Sequence, residues 1–148
     1  MHRFLEWHVS QYMTSNVTTI PPSMTLHDLG ALFEHHDYNC FAVVEAGTCI
    51  GIVTKFDFLK AFMFTTTQLV PHYQDLMKCT VDGIMTKDVA YVEPEEPLTR
   101  ALDLMIAMRA RSFPVLEPGH KLVGMISRTD LTKALFEATE AEQQTSQP

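Results

Sequence analysis

The sequence lacks an apolar run long enough to cross a membrane. No stretch approaches the roughly 20 apolar residues that a transmembrane helix needs. The N-terminal residues Met1 to His8 also lack the long apolar core and the small residues of a signal peptide. We therefore expect a cytoplasmic protein with no membrane-bound segment.

Positive charge is scarce. Eleven Lys and Arg residues face 18 Asp and Glu residues, for a formal net charge of −7 at pH 7. A nucleic-acid surface needs clustered cations, so this balance argues against nucleic-acid partners and, more weakly, against anionic membranes. Individual Lys and Arg side chains could still bind a small anion.

Cysteine patterns and catalytic motifs are also missing. Cys40, Cys49 and Cys79 show no CxxC spacing and are typical of reduced thiols. Seven histidines show no metal-ligand spacing, and there is no HExxH, GxSxG, P-loop or GxGxxG. With no visible nucleophile–base pair, the sequence predicts neither an enzyme nor a metal site.

A duplication is present instead. Residues 51–57 read Gly-Ile-Val-Thr-Lys-Phe-Asp, and residues 124–130 read Gly-Met-Ile-Ser-Arg-Thr-Asp. Met13-Thr14 likewise recurs as Met85-Thr86, 72 positions later (85 − 13). The offset becomes 73 after the glycines (124 − 51), so the second copy has one extra residue at a predicted turn. In a chain of 148 residues, two long copies favour two small domains rather than a solenoid.

The same order of elements is predicted twice. A leading helix over residues 1–12 precedes the first copy, and a frayed acidic tail over residues 137–148 follows a short last helix. For residues 65–80 a helix extension, a turn and an approach strand all remain possible. The predicted strands are 17–20, 41–44, 50–53, 89–92, 113–116 and 122–126. The predicted helices are one that starts at residue 26, two that span 57–64 and 98–108, and one that starts at about residue 130.

The chain resembles a tandem pair of CBS domains, the cystathionine-beta-synthase-type regulatory module, over roughly residues 9 to 140. The resemblance rests on the two Met-Thr pairs, on Phe113-Pro114-Val115 with its variant Phe41-Ala42-Val43, and on both glycine-to-aspartate motifs. It implies an α/β (α+β) fold of two β-α-β-β-α repeats packed with pseudo-twofold symmetry. The expected segments are a helical segment 1–8, CBS domain 1 at 9–64, a linker 65–80, CBS domain 2 at 81–136 and a polar tail 137–148.

The resemblance also implies a function. Such pairs often bind AMP, ADP, ATP or S-adenosylmethionine in two clefts between the repeats, and two pairs commonly form a disc-like homodimer. We therefore expect a non-catalytic, stand-alone sensor without a catalytic cofactor, whose ligand shifts the population of states that an unidentified partner protein recognises. A scaffold or dimerisation module with empty sites is the alternative.

The repeated motif has a plausible ligand chemistry. A carboxylate at a strand-to-helix junction can accept both hydroxyls of a ribose, and the first amides of the helix suit a phosphate. A neighbouring hydroxyl or cation can add a further contact. By the family pattern, adenine is expected to contact the first strand of each repeat and the residues at the start of its second strand. The candidate ligand-binding residues are Thr18, Phe41, Ala42, Thr54, Lys55 and Asp57 in one copy, and Ala90, Phe113, Pro114, Ser127, Arg128 and Asp130 in the other.

A purely structural interpretation competes with this one, because a Ser or Thr followed three residues later by an acid is also a helix capping box. The copies differ as well. The second keeps Phe113-Pro114, whereas the first has Phe41-Ala42, so we expect the Asp130 site to be the stronger. Arg109 and Arg111 could help to hold a phosphate or could be solvated surface residues.

Overall fold

The computed structural model describes residues 2–63 and 73–146, which form two compact units. The continuous unit is Thr18–Val89, and the split unit combines Met1–Val17 with Ala90–Pro148. The elements in chain order are α1 (His2–Glu6), α2 (Val9–Tyr12), β1 (Thr19–Ile20), α3 (Leu26–His35), β2 (Cys40–Glu45), β3 (Thr48–Thr54), α4 (Lys55–Ala61), α5 (Tyr73–Lys78), a 3-10 turn (Val81–Gly83), α6 (Leu98–Met108), β4 (Ser112–Glu117), β5 (Lys121–Ser127) and α7 (Arg128–Thr145).

The continuous unit is built on a small mixed sheet. Strand β1 pairs in parallel with β2, placing Thr19 opposite Ala42, and β2 pairs antiparallel with β3. Helices α3 and α4 contact each other. The Thr25 hydroxyl caps α3 by accepting the Asp28 amide at 3.2 Å. The buried core consists of Ile20, Leu26, Leu29, Phe41, Val43, Val53 and Val81.

The split unit repeats this arrangement with a larger core. Strands β4 and β5 pair antiparallel, and Val92 forms a single parallel bridge to Val115. Helix α7 packs against α1, α2 and α6. The buried core consists of Phe4, Val9, Val92, Leu98, Ala101, Met105, Phe113, Val115, Ile126, Leu131, Ala134 and Ala138.

The two hairpins explain the extra residue of the second copy. Ala46 and Gly47 connect β2 to β3 with φ of 51° and 81°, the left-handed pair that a two-residue hairpin turn requires. The second hairpin has three connecting residues, 118–120, of which Gly119 and His120 have positive φ. The offset of the duplication changes at this turn, as predicted.

Each Met-Thr pair lies beside a strand of the other sequence copy. Thr14 pairs with Met125 of β5, and Thr86 pairs with Ile52 of β3. Gly51 leaves room for this approach, because a Cβ there would lie 2.8 Å from the Thr86 carbonyl oxygen. A Cβ at Gly124 would lie at the same distance from the Thr14 oxygen. The compact units therefore group residues differently from the two sequence copies, and the division at 9–64 and 81–136 stays a prediction.

The predicted leading helix and the predicted strand at 89–92 differ from the observed elements, and one further prediction is not tested. The leading helix breaks between α1 and α2, where His8 bridges to Pro97. Residues 89–92 form no strand beyond the Val92 bridge. The predicted end of the first copy's last helix and the first half of the linker 65–80 fall on residues 64–72, outside the described residues, while the second half contains α5.

The predicted frayed tail is wrong as far as residue 145, because α7 continues to Thr145. Buried Ala134 and Ala138 keep the helix packed onto the core, and the Glu142 side chain accepts the His2 amide at 3.0 Å. Tertiary contacts thus stabilise a segment whose polar composition alone favours disorder.

Candidate functional site

The predicted junction of the continuous unit is a reciprocal hydrogen-bonded cap. Strand β3 ends at Thr54 and α4 begins at the next residue. The Asp57 amide donates to the Thr54 hydroxyl oxygen at 3.0 Å, and the Thr54 amide donates to Asp57 Oδ2 at 3.0 Å. The motif therefore has a structural role in starting the helix.

The junction of the split unit has the same geometry with one more bond. The Asp130 amide donates to Ser127 Oγ at 3.2 Å, while the Ser127 amide donates to Asp130 Oδ2 at 2.9 Å. The Ser127 hydroxyl also lies 2.9 Å from that same oxygen. In both junctions the cap occupies one carboxylate oxygen, and Oδ1 has no hydrogen bond among the described residues.

The helix starts offer fewer amides than the sequence suggested. The first amide of α4, Lys55, donates to the Asn39 carbonyl at 2.9 Å, and that of α7, Arg128, donates to the Arg111 carbonyl at 2.9 Å. With the third amide used in each cap, only Phe56 and Thr129 have amides at these starts without an acceptor among the described residues. A phosphate would therefore need side-chain partners as well.

Strand register gathers the candidates of the continuous unit at one edge of its sheet. Because β1 and β2 are parallel and β2 and β3 antiparallel, both strand starts and the end of β3 lie on the same side. Cys40 is opposite Thr54, and Thr18 directly precedes the pairing of Thr19 with Ala42. Thr18, Phe41, Ala42 and the Thr54–Asp57 junction thus share this edge.

The split unit gathers its candidates in the same way. Ser112 is opposite Ser127, so the start of β4 adjoins the start of α7. The Val92 amide donates to the Pro114 carbonyl at 3.2 Å, which places the segment after Ala90 beside Phe113 and Pro114. Both sets of predicted residues are therefore brought together locally, although their ligand-binding role stays a prediction.

The two phenylalanines are core residues. Phe41 is 1% exposed and lies 5.0 Å from the Phe33 ring, and Phe113 is 3% exposed. Ala42 and Pro114 are buried too. Because both rings are packed in the cores, the candidate contacts of these segments are their backbone groups rather than aromatic faces.

The predicted cations differ between the junctions. Arg128 donates from Nε to the Ala110 carbonyl at 2.8 Å and from Nη2 to the Arg109 carbonyl at 2.9 Å. It holds the loop after α6, where Arg109 is left-handed with φ of 53°. Arg111 is exposed, and Lys55 in the first copy is half-buried. The remaining guanidinium N–H groups of Arg128 stay available for an anion.

Asp130 also lines a cleft that sequence reasoning missed. The cleft encloses about 510 Å³ within the split unit. One wall comes from the N-terminal segment and the other from α7. Only the helical spacing of the acidic and basic residues that follow Asp130 was visible in the sequence. The lining residues are Trp7, Gln11, Tyr12, Met13, Thr14, Asp130, Lys133 and Glu137.

A short hydrogen bond joins the two walls. The Tyr12 hydroxyl donates to Glu137 Oε2 at 2.5 Å. Burial, followed by this hydrogen bond and by the charge of Glu137, raises the pKa of Tyr12 from its ordinary 10.0 to about 12. Tyr12 is therefore a protonated donor at neutral pH.

The other reactive groups that the structure describes form no cluster. Burial raises the pKa of the Cys49 thiol, while Cys40 is partly buried and Cys79 exposed. Among the described residues no group of His, Cys, Asp and Glu side chains is arranged to hold a metal ion. Within the same residues, no helix has both the length and the apolar character needed to span a membrane.

Several curated proteins are similar to this chain. An uncharacterized 17.7 kDa protein of Acidianus ambivalens is 29% identical over 87% of this chain and 73% of its own length. An uncharacterized protein of Methanocaldococcus jannaschii is 30% identical over 88% of this chain and 45% of its own length. A homoserine O-acetyltransferase of Methanococcoides burtonii is 28% identical over 91% of this chain. The chain spans only 26% of that enzyme's length.

Solved structures show the same fold. The CBS domain pair of protein MJ0100, in complex with methylthioadenosine and S-adenosyl-L-methionine, is 22% identical with a TM-score of 0.72, covering 90% of this chain and 98% of its own. CBSX2 in complex with AMP is 22% identical with a TM-score of 0.78 over the same shares. A CBS-domain protein from Agrobacterium tumefaciens is 26% identical with a TM-score of 0.71, covering 86% of this chain and 92% of its own.

The family itself is evident from the sequence match. Residues 9–64 and 81–137 each match the CBS domain, in agreement with the duplication and with the mixed α and β structure of both units. The chain belongs to the CBS domain family and contains two CBS repeats.

Proposed function

We propose that this protein is a regulatory module that binds an adenosine-containing ligand at its strand-to-helix junctions and has no catalytic activity of its own. The observation that carries the proposal is the pair of matched junctions, each with a hydroxyl and a carboxylate at one edge of a sheet. Solved CBS pairs of the same fold hold AMP, methylthioadenosine and S-adenosyl-L-methionine.

In this proposal each aspartate receives the ribose. Oδ1 of Asp57 and Oδ1 of Asp130 have no hydrogen bond among the described residues, so each can accept from a ribose hydroxyl without breaking the cap. Backbone groups beside Ala42 and Pro114 would meet the adenine edge. Lys55 and the spare N–H groups of Arg128 would meet a phosphate or another anion.

We expect unequal sites. The split unit has the intact Phe113-Pro114 pair, an arginine that orders the neighbouring loop and a cleft beside Asp130. The Asp130 site should therefore bind more tightly than the Asp57 site. A ligand that favours one state of the module would then shift its population, by no more than the difference in affinity between the states.

Calorimetric titration with AMP, ADP, ATP, S-adenosylmethionine and NAD tests the proposal. Asp130→Asn should weaken binding of the preferred ligand by about tenfold or more, because a hydrogen bond to a charged group is lost. Asp57→Asn should weaken the second, weaker event. Asp28→Asn is the matched control, since Asp28 occupies the same position of the capped helix α3 outside both sites.

A scaffold with empty sites is the second candidate, and the capping boxes favour it, because helix initiation alone accounts for both motifs. Failure of every ligand to bind, or binding unchanged in both aspartate variants, would support the scaffold and reject the sensor. Turnover of a bound nucleotide would contradict the non-catalytic part of the proposal. The homodimer, the regulated partner protein and the cytoplasmic location remain predictions.

A further inference from the structure

The cleft beside Asp130 has a charged face that the proposed ribose contact does not use. Asp130, Lys133 and Glu137 follow one another at helical spacing along α7, and all three line the cleft. Its volume of about 510 Å³ lies in the range of small-molecule sites. A ligand held at Asp130 therefore has room to extend along α7.

The opposite wall is held firmly by backbone hydrogen bonds. The Val9 amide donates to the Glu96 carbonyl at 2.9 Å, and the Thr14 amide donates to the Met125 carbonyl at 2.8 Å. Val9 is fully buried in the core of the split unit. The cleft is thus preformed rather than made by a loose N-terminal segment, which lowers the entropic cost of binding.

The charges of the cleft are mixed. Its lining contains two carboxylates, Asp130 and Glu137, and one ammonium, Lys133. Lys133 has no ion pair among the described residues, and Glu137 uses Oε2 for the Tyr12 hydroxyl. Lys133 and the remaining oxygen of Glu137, one helical turn apart, can therefore receive an anion and a cation side by side.

Aromatic rings complete the lining. Trp7 and Tyr12 lie with ring centroids 5.0 Å apart at an angle of 43°. Such rings suit a short apolar linker or a nearby cation.

We propose that the Asp130 cleft selects an adenosyl ligand with a zwitterionic amino-acid end over one with a phosphate chain. The α-carboxylate pairs with Lys133 and the α-ammonium with Glu137, while the carbon linker passes Trp7 and Tyr12. A polyphosphate running along α7 would meet two carboxylates and one cation, Lys133, because Arg128 does not line this cleft. Such a placement is electrostatically unfavourable. The inference rests on the proposed function, because it takes Asp130 as the ribose contact.

Three related compounds isolate the contribution of the amino-acid end to the binding affinity. S-adenosylhomocysteine and methylthioadenosine are both neutral thioethers, and only the former has the zwitterionic end. S-adenosylmethionine adds a positive sulfur. Calorimetry should show S-adenosylhomocysteine binding about tenfold or more tightly than methylthioadenosine, and more tightly than ATP.

Charge-removing variants test the assigned side chains. Lys133→Gln and Glu137→Gln should each reduce the advantage of S-adenosylhomocysteine to about threefold or less, with methylthioadenosine affinity unchanged. Lys60→Gln is the matched control, because Lys60 corresponds to Lys133 in the other copy and lies over the Phe56 ring. It should change neither affinity.

The outcomes separate the two proposals. Three results would overturn the proposed selectivity for an amino-acid end. They are equal affinity for the two thioethers, an advantage of S-adenosylhomocysteine that survives both charge variants, and tighter binding of ATP. If methylthioadenosine binding is still lost in Asp130→Asn, the adenosyl site itself stands. No binding by any of these compounds rejects the amino-acid end, and the proposed function is rejected with it only if AMP, ADP and NAD also fail to bind.

Discussion

The continuous and split units present the same junction in different surroundings. Both hairpins have a register shift at matching places, between Val43 and Val44 and between Val115 and Leu116. Both end in a hydroxyl–aspartate cap. The split unit adds an N-terminal segment anchored by buried Phe4 and Val9, and an 18-residue helix, whereas α4 of the continuous unit has 7 residues. A local motif thus repeats faithfully, while the cleft depends on what packs around it.

The matched positions show where the copies diverge. Val9 and Val81 are both fully buried and both lie just after a bridge, His8 to Pro97 in one unit and Thr80 to Thr25 in the other. Three residues after these valines, Tyr12 and Ile84 both pack against the core of their unit, but only Tyr12 has a hydroxyl, which faces the cleft and donates to Glu137. A tyrosine in place of an isoleucine at this equivalent position therefore adds a hydrogen-bonding group to the cleft wall of the split unit.

The largest expected effect tests whether the N-terminal segment is integral to the split unit. Phe4 is 2% exposed and its neighbour Leu5 is 61% exposed. Phe4→Ala should lower the free energy of unfolding by about 3–5 kcal/mol through a core cavity. Leu5→Ala should change it by at most about 0.5 kcal/mol. Urea unfolding measures both free-energy changes, and equal changes would mean that the N-terminal segment does not contribute to the core.

The second prediction concerns the Met-Thr pairs, each of which lies beside a strand of the other sequence copy. Gly51→Ala and Gly124→Ala should each destabilise by about 1–3 kcal/mol, because the new Cβ would meet a backbone oxygen. That contact is 2.8 Å in both units, so the two losses should be similar. Gly83→Ala is the control, since nothing lies within 4 Å of its Cβ position. Tolerance of either Gly51→Ala or Gly124→Ala in thermal unfolding would contradict the close approach.

A smaller effect on stability should distinguish Arg128 from Lys55, the cations of the two junctions. Arg128→Ala should cost about 1 kcal/mol, since it removes hydrogen bonds to two loop carbonyls from an exposed side chain. Lys55→Ala should leave stability within about 0.5 kcal/mol. Denaturant midpoints compare the two variants. An equal cost for both would mean that Arg128 does not hold the loop.

The smallest effect lies outside the neutral range. The raised pKa of Tyr12 stabilises the folded state fully below pH 10.0, and this contribution is lost as pH rises toward about 12. The difference in ultraviolet absorbance between wild type and Tyr12→Phe reports the ionisation of Tyr12, and it should therefore change near pH 12. Glu137→Gln should lower this pH, because the carboxylate charge is removed. A transition near 10 in wild type would show that the hydrogen bond to Glu137 is weak.

Local patterns predicted much of the fold. The spacing of apolar residues placed α6 at Leu98–Met108, and the structure has the same bounds. The hairpins and both caps followed from short motifs in which neighbouring residues satisfy one another. The strand at 89–92 failed because most of that segment lacks a paired strand partner, which only tertiary structure supplies.

The site was predicted only in part, for a related reason. Thr54 with Asp57 and Ser127 with Asp130 are close in sequence, so their contacts follow from helix geometry. Tyr12 and Glu137 are 125 residues apart, and no local pattern pairs them. The burial of Phe41 and Phe113 likewise depends on neighbours from other elements.

The amino-acid sequence by itself determined the duplication, the repeated hairpins and the capped junctions, because each depends on contacts within a few residues along the chain. Tertiary structure decided that each Met-Thr segment packs onto the other copy, that α7 persists to Thr145, and that a cleft with Lys133 and Glu137 opens beside Asp130. These features need packing between distant segments, whose cost in chain entropy is offset only when buried surfaces fit together.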